Sequence, residues 1–306
     1  MVETFNFKIV VNNENVTDNI KKYLTSINII DNEKDEADEL TLSLSKFKRP
    51  QYKDEIKVFL GYGSKLSFVG LFYVQTTSIK NNKNLTINAT GVDFSGDLKE
   101  KRDLNYDDIL LSKLAKIIAD RHNLEIKTNA DTSVSTIQQN NESDLNLLNR
   151  LAKEYNLIFN IKNATLYFMK KSDVVPQISV DIDKCYSSNI SYSNKKFYKS
   201  CKAVYHNTQL NKKNEVTYGS GKPVLVVRKQ FNNDDEALVF AKNTLIRANK
   251  ATITGSLTKR GEVVFAGSEL ALNNDSDKEV YQIKKVSHTI DKGWRTSLTF
   301  EGGNKK

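Results

Sequence analysis

Leu40, Leu42 and Leu44 alternate with Thr41, Ser43 and Ser45, and this two-residue period returns along most of the chain. Side chains two residues apart share one face of a strand, so such a run buries one side of a sheet and wets the other. Phe5, Phe7, Ile9 and Val11 repeat the pattern over residues 5 to 11, and a further strand runs from Leu24 to Ile30. Residues 56 to 61 predict another strand, and 67–79 with 84–91 predict a long hairpin around Lys80-Asn81-Asn82-Lys83. About six strands at short spacing, with nothing resembling a βαβ unit, point to a barrel or a sandwich.

The period then changes. Leu110, Leu111, Leu114, Ile117 and Ile118 recur at helical spacing, with Asp107 and Asp108 suited to the first turn and His122 to the end of the helix near Asn123. A second helix is expected from Asn141-Glu142-Ser143-Asp144, with Ser143 as N-cap and Leu145, Leu148, Leu151, Ala152 and Tyr155 on its buried face. Residues 157–161 and 164–169 follow as a hairpin around Lys162-Asn163. Strands return at 188–193, 199–206, 223–229, 251–258, 262–271, 279–288 and 294–301. One helix interrupts them: Asn233 and Glu236 have capping-box spacing, and Ala237, Leu238, Ala241, Leu245 and Ala248 form its stripe.

The end of the first β region is echoed in the last. Phe72 and Val74 align with Tyr281 and Ile283, Ser78 with Ser287, Leu85-Thr86-Ile87 with Leu298-Thr299-Phe300, and Gly91 with Gly302. Two related β regions per chain would let a trimer present six similar faces.

The rest of the sequence argues against chemistry. Cys185 and Cys201 are the only cysteines and form neither a disulfide framework nor a Cys-x-x-Cys zinc clamp; both are expected as reduced thiols. His122, His206 and His288 have no serine elbow or second metal-ligating histidine beside them. Gly219-Ser220-Gly221-Lys222 lacks the upstream glycine of a phosphate loop, and Pro223 stands where its hydroxyl belongs, so it reads as a turn. The acidic stretch 31–39 lacks the order of a calcium loop and is expected as a solvated turn, and Asp181 and Asp183 as surface residues. No catalytic, cofactor or metal site is predicted. The net charge of +9 comes from scattered lysines, which disfavours specific nucleic-acid binding. No basic start with an apolar run marks a signal peptide, and no stretch of about 18 apolar residues marks a membrane helix.

The middle segment carries a resemblance. Ala89-Thr90-Gly91-Val92-Asp93-Phe94, Leu98-Lys99-Glu100-Lys101-Arg102 and the helix end Ile117-Ile118-Ala119-Asp120-Arg121-His122-Asn123-Leu124 are similar to the late control gene D family of phage tail proteins. The strongest match is Gln138-Gln139-Asn140-Asn141-Glu142-Ser143-Asp144-Leu145, continued by Leu148, Arg150-Leu151-Ala152 and Tyr155. That motif reads as architectural: Ser143 caps, while Glu142 and Asp144 favour the helix N-terminus.

The resemblance implies a β-rich α+β fold: a tube-like antiparallel β-barrel over 1–95, an α+β insert over 96–175 and a second barrel over 176–306 carrying the helix 233–249. It implies a structural baseplate hub of a contractile phage tail or phage-like particle, assembled in the bacterial cytoplasm. The hub trimerises to connect a sixfold tail tube to a threefold central spike, and the same module occurs in type VI secretion valine-glycine-repeat spike proteins. Implied partners are further copies of the chain, a tail tube protein or tube initiator, other baseplate proteins and a separate spike, since the last strand ends close to Lys306. Neither a membrane nor a specific nucleic acid is among them. The alternatives are a tail-associated cell-wall hydrolase and a basic, DNA-contacting tail protein; phage, prophage remnant and tailocin stay open.

Overall fold

The computed structural model describes residues 4–33, 37–91, 97–170, 177–193, 197–207, 211–249, 253–273 and 280–302. Val92-Asp93-Phe94 and the expected boundaries at 95/96 and 175/176 lie outside these residues.

The first unit comprises β1 (Phe5–Val11), β2 (Glu14–Asn15), α1 (Thr17–Lys21), β3 (Leu24–Asn32), β4 (Glu39–Ser45), β5 (Glu55–Tyr62), β6 (Lys65–Lys80) and β7 (Asn84–Thr90). Alternation decides its inside: Ile9, Ile27, Ile29, Leu40, Leu42, Val58, Phe72 and Ile87 are buried in one core. The β6–β7 turn is made by Asn81 and Asn82 at φ of 55° and 52°, a conformation that asparagine tolerates in tight hairpins.

The α+β insert comprises β8 (Lys101–Leu110), α2 (Leu111–Arg121), β9 (Glu125–Thr128), β10 (Ser133–Ser143), α3 (Asp144–Tyr155), β11 (Leu157–Lys162) and β12 (Thr165–Lys170), around a core of its own. Helix α2 starts later than expected. Asp107 lies in β8 opposite Thr136 of β10, and Asp108 has φ of 45°, so neither supports a first helical turn. Helix α3 is capped by Ser143, whose Oγ accepts from the Asn146 N–H. Leu148, Leu151 and Ala152 are buried as expected; Leu147 joins them, while Leu145 and Tyr155 pack only partly buried at the margin.

The second β unit comprises β13 (Gln177–Asp181) and β14 (Ser187–Tyr192), then, after an interruption, β18 (Ile253–Arg260), β19 (Glu269–Asn273), β20 (Val280–Ile290) and β21 (Trp294–Gly302), over a third core. The interruption is more than a helix. β15 (Ser200–Asn207), β16 (Lys212–Gly219) and β17 (Val224–Arg228) form a three-stranded sheet that packs on α4 (Asp234–Ala248) around a fourth core. The strands expected at 199–206 and 223–229 therefore leave the second β unit. In α4, Thr244 is buried while Leu238 is 38% exposed. Of the strand expected over 262–271 only the end is strand; Gly267 at φ +89° turns the chain ahead of it.

The two β units do not stand apart as separate barrels. They share a thirteen-stranded sheet in which β3 pairs antiparallel with β20, so an open path of strands crosses from one unit to the other. Within it the internal echo becomes exact topology. With the two-residue edge strand β2 set aside, the first unit pairs β1–β5–β6–β7–β4–β3 and the second β13–β19–β20–β21–β18–β14, in both cases first, fourth, fifth, sixth, third and second of six strands. The units differ in β2, which pairs with β1, and in the outer pair, antiparallel in β1–β5 and parallel in β13–β19. Both hairpins are bulged just after the aligned residues Val74 and Ile283. The register moves the Leu85-Thr86-Ile87 alignment by two residues and keeps Gly91 on Gly302: Val74 faces Ala89 and Ile283 faces Phe300, so Ile87 corresponds to Leu298.

Candidate functional site

The motif residues run from the end of β10 through the length of α3, and Asp144 sits where α2 ends and α3 begins. Asp144 is completely buried. Its carboxylate accepts from Arg121 Nη1 at 2.9 and 2.8 Å and from Gln139 Nε2 at 2.9 Å, and lies 2.8 Å from His122 Nε2. Burial works to raise its pKa, but the hydrogen bonds from Gln139, His122 and Arg121 outweigh it and hold the carboxyl below the ordinary value. Glu142 receives a forked pair from Arg150, Nε at 3.1 Å and Nη2 at 2.7 Å, and the same Nη2 donates to the Gln138 carbonyl at 2.9 Å. Asn141 turns the chain at φ 46°, its N–H donating to Asp103 Oδ1 at 2.7 Å. These contacts join α2 and α3 to β8 and β10. Arg121 and Gln139 lie in the stretches that carry the family resemblance, but the sequence assigns neither a role at this joint. The available signal was a basic pair, Arg121-His122, closing one helix shortly before an acid opens the next.

A polar groove of about 730 Å³ runs beside this joint, between α3 with β10 and the segment leading into α4. Lys229 Nζ binds Glu154 across it at 2.8 Å, and Arg247 Nη1 donates to the Lys153 carbonyl at 3.0 Å. Burial, helped by Glu236 and Glu154, keeps the Tyr155 phenol protonated well above its usual range.

A second polar joint lies in the stretch expected as a solvated turn, and there the expectation fails. Asp31, Asn32 and Glu33 are all buried. Asp31 pairs with Lys162 of β11 and accepts from the Ala266 N–H at 2.8 Å, while Asp38 Oδ1 accepts from the Asn32 N–H at 3.0 Å and its Oδ2 lies 3.6 Å from Lys162. Asn160 Nδ2 donates to the Asn32 carbonyl at 2.9 Å. Glu33 binds Lys284, which also reaches Glu301 at 2.7 Å, and accepts from Gln282 Nε2 at 2.7 Å. The cluster thus ties the first β unit, the insert and the second β unit together. A local count of acids cannot reveal this, because Lys162 and Ala266 come from distant sequence.

Burial, reinforced by the Asp31 charge, pushes Asp38 up to about 7 against the pull of Lys162. A carboxyl whose folded pKa exceeds its unfolded value opposes folding once ionised, so its cost is absent in acid and grows as pH rises to about 7. Asp38→Asn is therefore expected to stabilise the chain by about 1–3 kcal/mol at pH 8 and to make little difference near pH 4. Urea unfolding at the two pH values measures this; an equal effect at both would contradict it.

His288 is fully buried in β20, where burial lowers its pKa to about 4. Asp181 Oδ1 accepts from the Asp183 N–H at 3.1 Å in a short turn, and Gly219 and Gly221 (φ 81° and 95°) make the β16–β17 turn. Both cysteines are free thiols. Among the described residues no group of three or more His, Cys, Asp or Glu side chains could hold a metal ion, and no helix is long and apolar enough to cross a membrane.

One face of the shared sheet is carpeted with hydroxyls and amides. Thr289, Asn28, Thr41, Asn88 and Thr76 stand side by side on β20, β3, β4, β7 and β6. Asn28 accepts from Thr289, Thr41 donates to Asn88 at 3.2 Å, and Asn88 donates to Thr76 at 3.1 Å. Ser26, Ser43, Thr86 and Ser78 form the next row. The face reaches from the first β unit onto β20 of the second.

No family model matches the chain. It is 31% identical over 174 residues to a "Probable baseplate hub protein" of Escherichia phage 186, covering 54% of this chain and 44% of that protein. It is 28% identical over 193 residues to the protein of the same description in Escherichia phage P2, covering 58% and 50%. The chain thus spans about half the length of the curated relatives it matches. A tail protein of Neisseria meningitidis MC58 superposes with a TM-score of 0.75 at 13% identity, covering 98% of this chain and 97% of that one. The 43 kDa tail protein of prophage MuSo2 from Shewanella oneidensis gives 0.70 at 14%, covering 96% and 97%. An E. coli type VI secretion component, described as similar to T4 tail proteins gp27 and gp5, gives 0.60 at 9%, covering 93% and 74%. The chain is related in sequence to phage baseplate hub proteins and shares the fold of phage tail proteins, as the resemblance over 89–169 implies.

Proposed function

We propose that this relative of the phage baseplate hub proteins is itself a structural hub subunit, three copies of which join a sixfold tail tube to a threefold central spike. The observation that carries the reading is the repeated strand order of the two β units. A chain with one such unit would give a trimer three equivalent faces; two related units give six, matching a sixfold tube above while the trimer axis matches a threefold spike below. The hydroxyl and amide face of the shared sheet is the surface we assign to the lumen, since it is polar and reaches from the first unit onto β20 of the second. The buried polar joints then act as rigid couplings that hold the insert on this ring. The partners are a spike carried on another chain, a tail tube protein or tube initiator and other baseplate proteins, and the place of action is the tail baseplate. In this reading the chain carries no enzymatic activity.

The test is mass measurement and electron microscopy of the purified chain, alone and with the spike protein of the same particle. A ring of three copies bound to the spike is the expected result. A strictly monomeric particle at high concentration, with no affinity for the spike, would defeat the reading.

A further inference from the structure

The polar groove beside the insert's joint has its charges matched but its amides free. It holds three cations, Lys101, Arg150 and Lys229, and three acids, Glu142, Glu154 and Glu236. Arg150 pairs with Glu142 at 2.7 Å and lies 3.7 Å from Glu154, and Lys229 pairs with Glu154 at 2.8 Å. Glu236 accepts from the Asn232 N–H at 3.2 Å. A groove balanced in this way offers little to a nucleic acid or a charged peptide, which binds through unmatched charge.

The carboxamides behave differently. Those of Gln138, Asn140 and Asn141 on β10 and of Asn146 on α3 line the groove, and none of the four makes a hydrogen bond within the protein among the described residues. A bulge sets two of them there: the β8–β10 register shifts between Gln139 and Glu142, and Asn141 stands at φ 46°. Bulges re-aim side chains that a regular strand would direct elsewhere. Each carboxamide presents two donor hydrogens and an acceptor oxygen from one planar group. Buried Ile137 and Leu151 add apolar surface, and half-buried Tyr155 adds a ring with a polar tip.

A neutral ligand bearing many hydroxyls on apolar rings matches this lining. An extended peptide matches it less well. It would add to the edge of β10 that β8 leaves open, but the Gln138 carbonyl is already taken by Arg150 Nη2 at 2.9 Å. The volume of about 730 Å³ falls in the range of small-ligand sites.

We propose that this groove binds a neutral oligosaccharide, with Gln138, Asn140 and Asn146 hydrogen-bonding its hydroxyl or N-acetyl groups and Tyr155 lying against a sugar face. The inference goes beyond the hub reading and does not depend on it, because the groove is built within one chain.

The experiment is calorimetric titration and saturation-transfer NMR of the full chain with two neutral probes, tri-N-acetylchitotriose and cellotriose, beside a neutral serine-rich peptide. The expected result is saturable binding of at least one trisaccharide, little changed between about 0.05 and 0.5 M salt because no net charge is engaged. Asn140→Ala with Asn146→Ala should weaken it by about tenfold, the loss of two hydrogen bonds, with the melting temperature unchanged because both side chains are exposed. Gln138→Ala, a single exposed change on the strand, should weaken it by about threefold. Sugar binding that these variants leave unchanged lies elsewhere and overturns the proposal. Binding of the peptide alone, or of neither sugar, overturns it as well. None of these outcomes touches the hub reading, which is tested by the mass of the assembly with the spike.

Discussion

Asp144→Ala is expected to destabilise the α+β insert by about 3–5 kcal/mol, the usual cost of removing one partner from a buried ion pair. The substitution strips the shared acceptor from Arg121, Gln139 and His122 at once, and the His122 side chain is only 5% exposed. Asp144→Asn keeps the shape and one acceptor oxygen and is expected to cost less, about 1.5–3 kcal/mol, the worth of a hydrogen bond to a charged group. Ser143→Ala removes only the cap bond to Asn146 and should cost about 1 kcal/mol. Hydrogen exchange over 101–155 with urea unfolding orders the three variants. An Asp144→Ala chain that melts like the parent would show that the motif is not the joint described here. Because the Asp144 pKa is held down, the stability it adds is present above the ordinary carboxylate range and is lost only as pH falls through the lowered value.

Lys162→Met is expected to have an effect of similar size, about 3–5 kcal/mol at pH 8, but with the opposite pH behaviour. Methionine fills the stem volume and removes the cation, leaving Asp31 and Asp38 facing each other in a buried site. Asp38, already raised to about 7, then takes a proton more readily, so the loss should shrink as pH falls toward about 5. Adding Asp38→Asn to Lys162→Met should recover a large part of the loss at pH 8, a non-additivity expected of groups in one network. Because this joint spans both β units and the insert, its failure should loosen 157–170 and the start of β20 together in hydrogen exchange. A pH-independent loss, or no recovery in the double variant, would remove the joint from the account.

Much of the fold was legible in local pattern. Leu40-x-Leu42-x-Leu44, the Asn81-Asn82 turn, the Ser143 cap and the Asn233 cap each act over a few residues, and each is found where its chemistry puts it. The resemblance over 138–155 marked the segment that builds the insert's joint. Helix α2 was misjudged at its start because Asp107 and Asp108 suit a helix N-terminus locally, while pairing of β8 with β10 holds them extended or turned. Leu238 joined the expected stripe of α4 on spacing alone; in the folded chain Thr244 is buried and Leu238 is exposed.

By itself, then, the sequence marked most strands of the two β units, the three longer helices and several turns, and showed that the last hairpin repeats an earlier one; β8, β9, β10 and β16 were not read from it. These follow from side-chain period and backbone preference, which operate within a few residues. Only the tertiary structure decided that β3 joins β20, so that two β units become one sheet, and that β15–β17 leave the second unit to pack on α4. It alone decided that Asp31, Glu33 and Asp38 are closed in by Lys162 and Lys284 rather than by water. Strand partners and buried charge pairs are chosen between residues far apart in sequence, and the free energy that selects them comes from burial that no local pattern records.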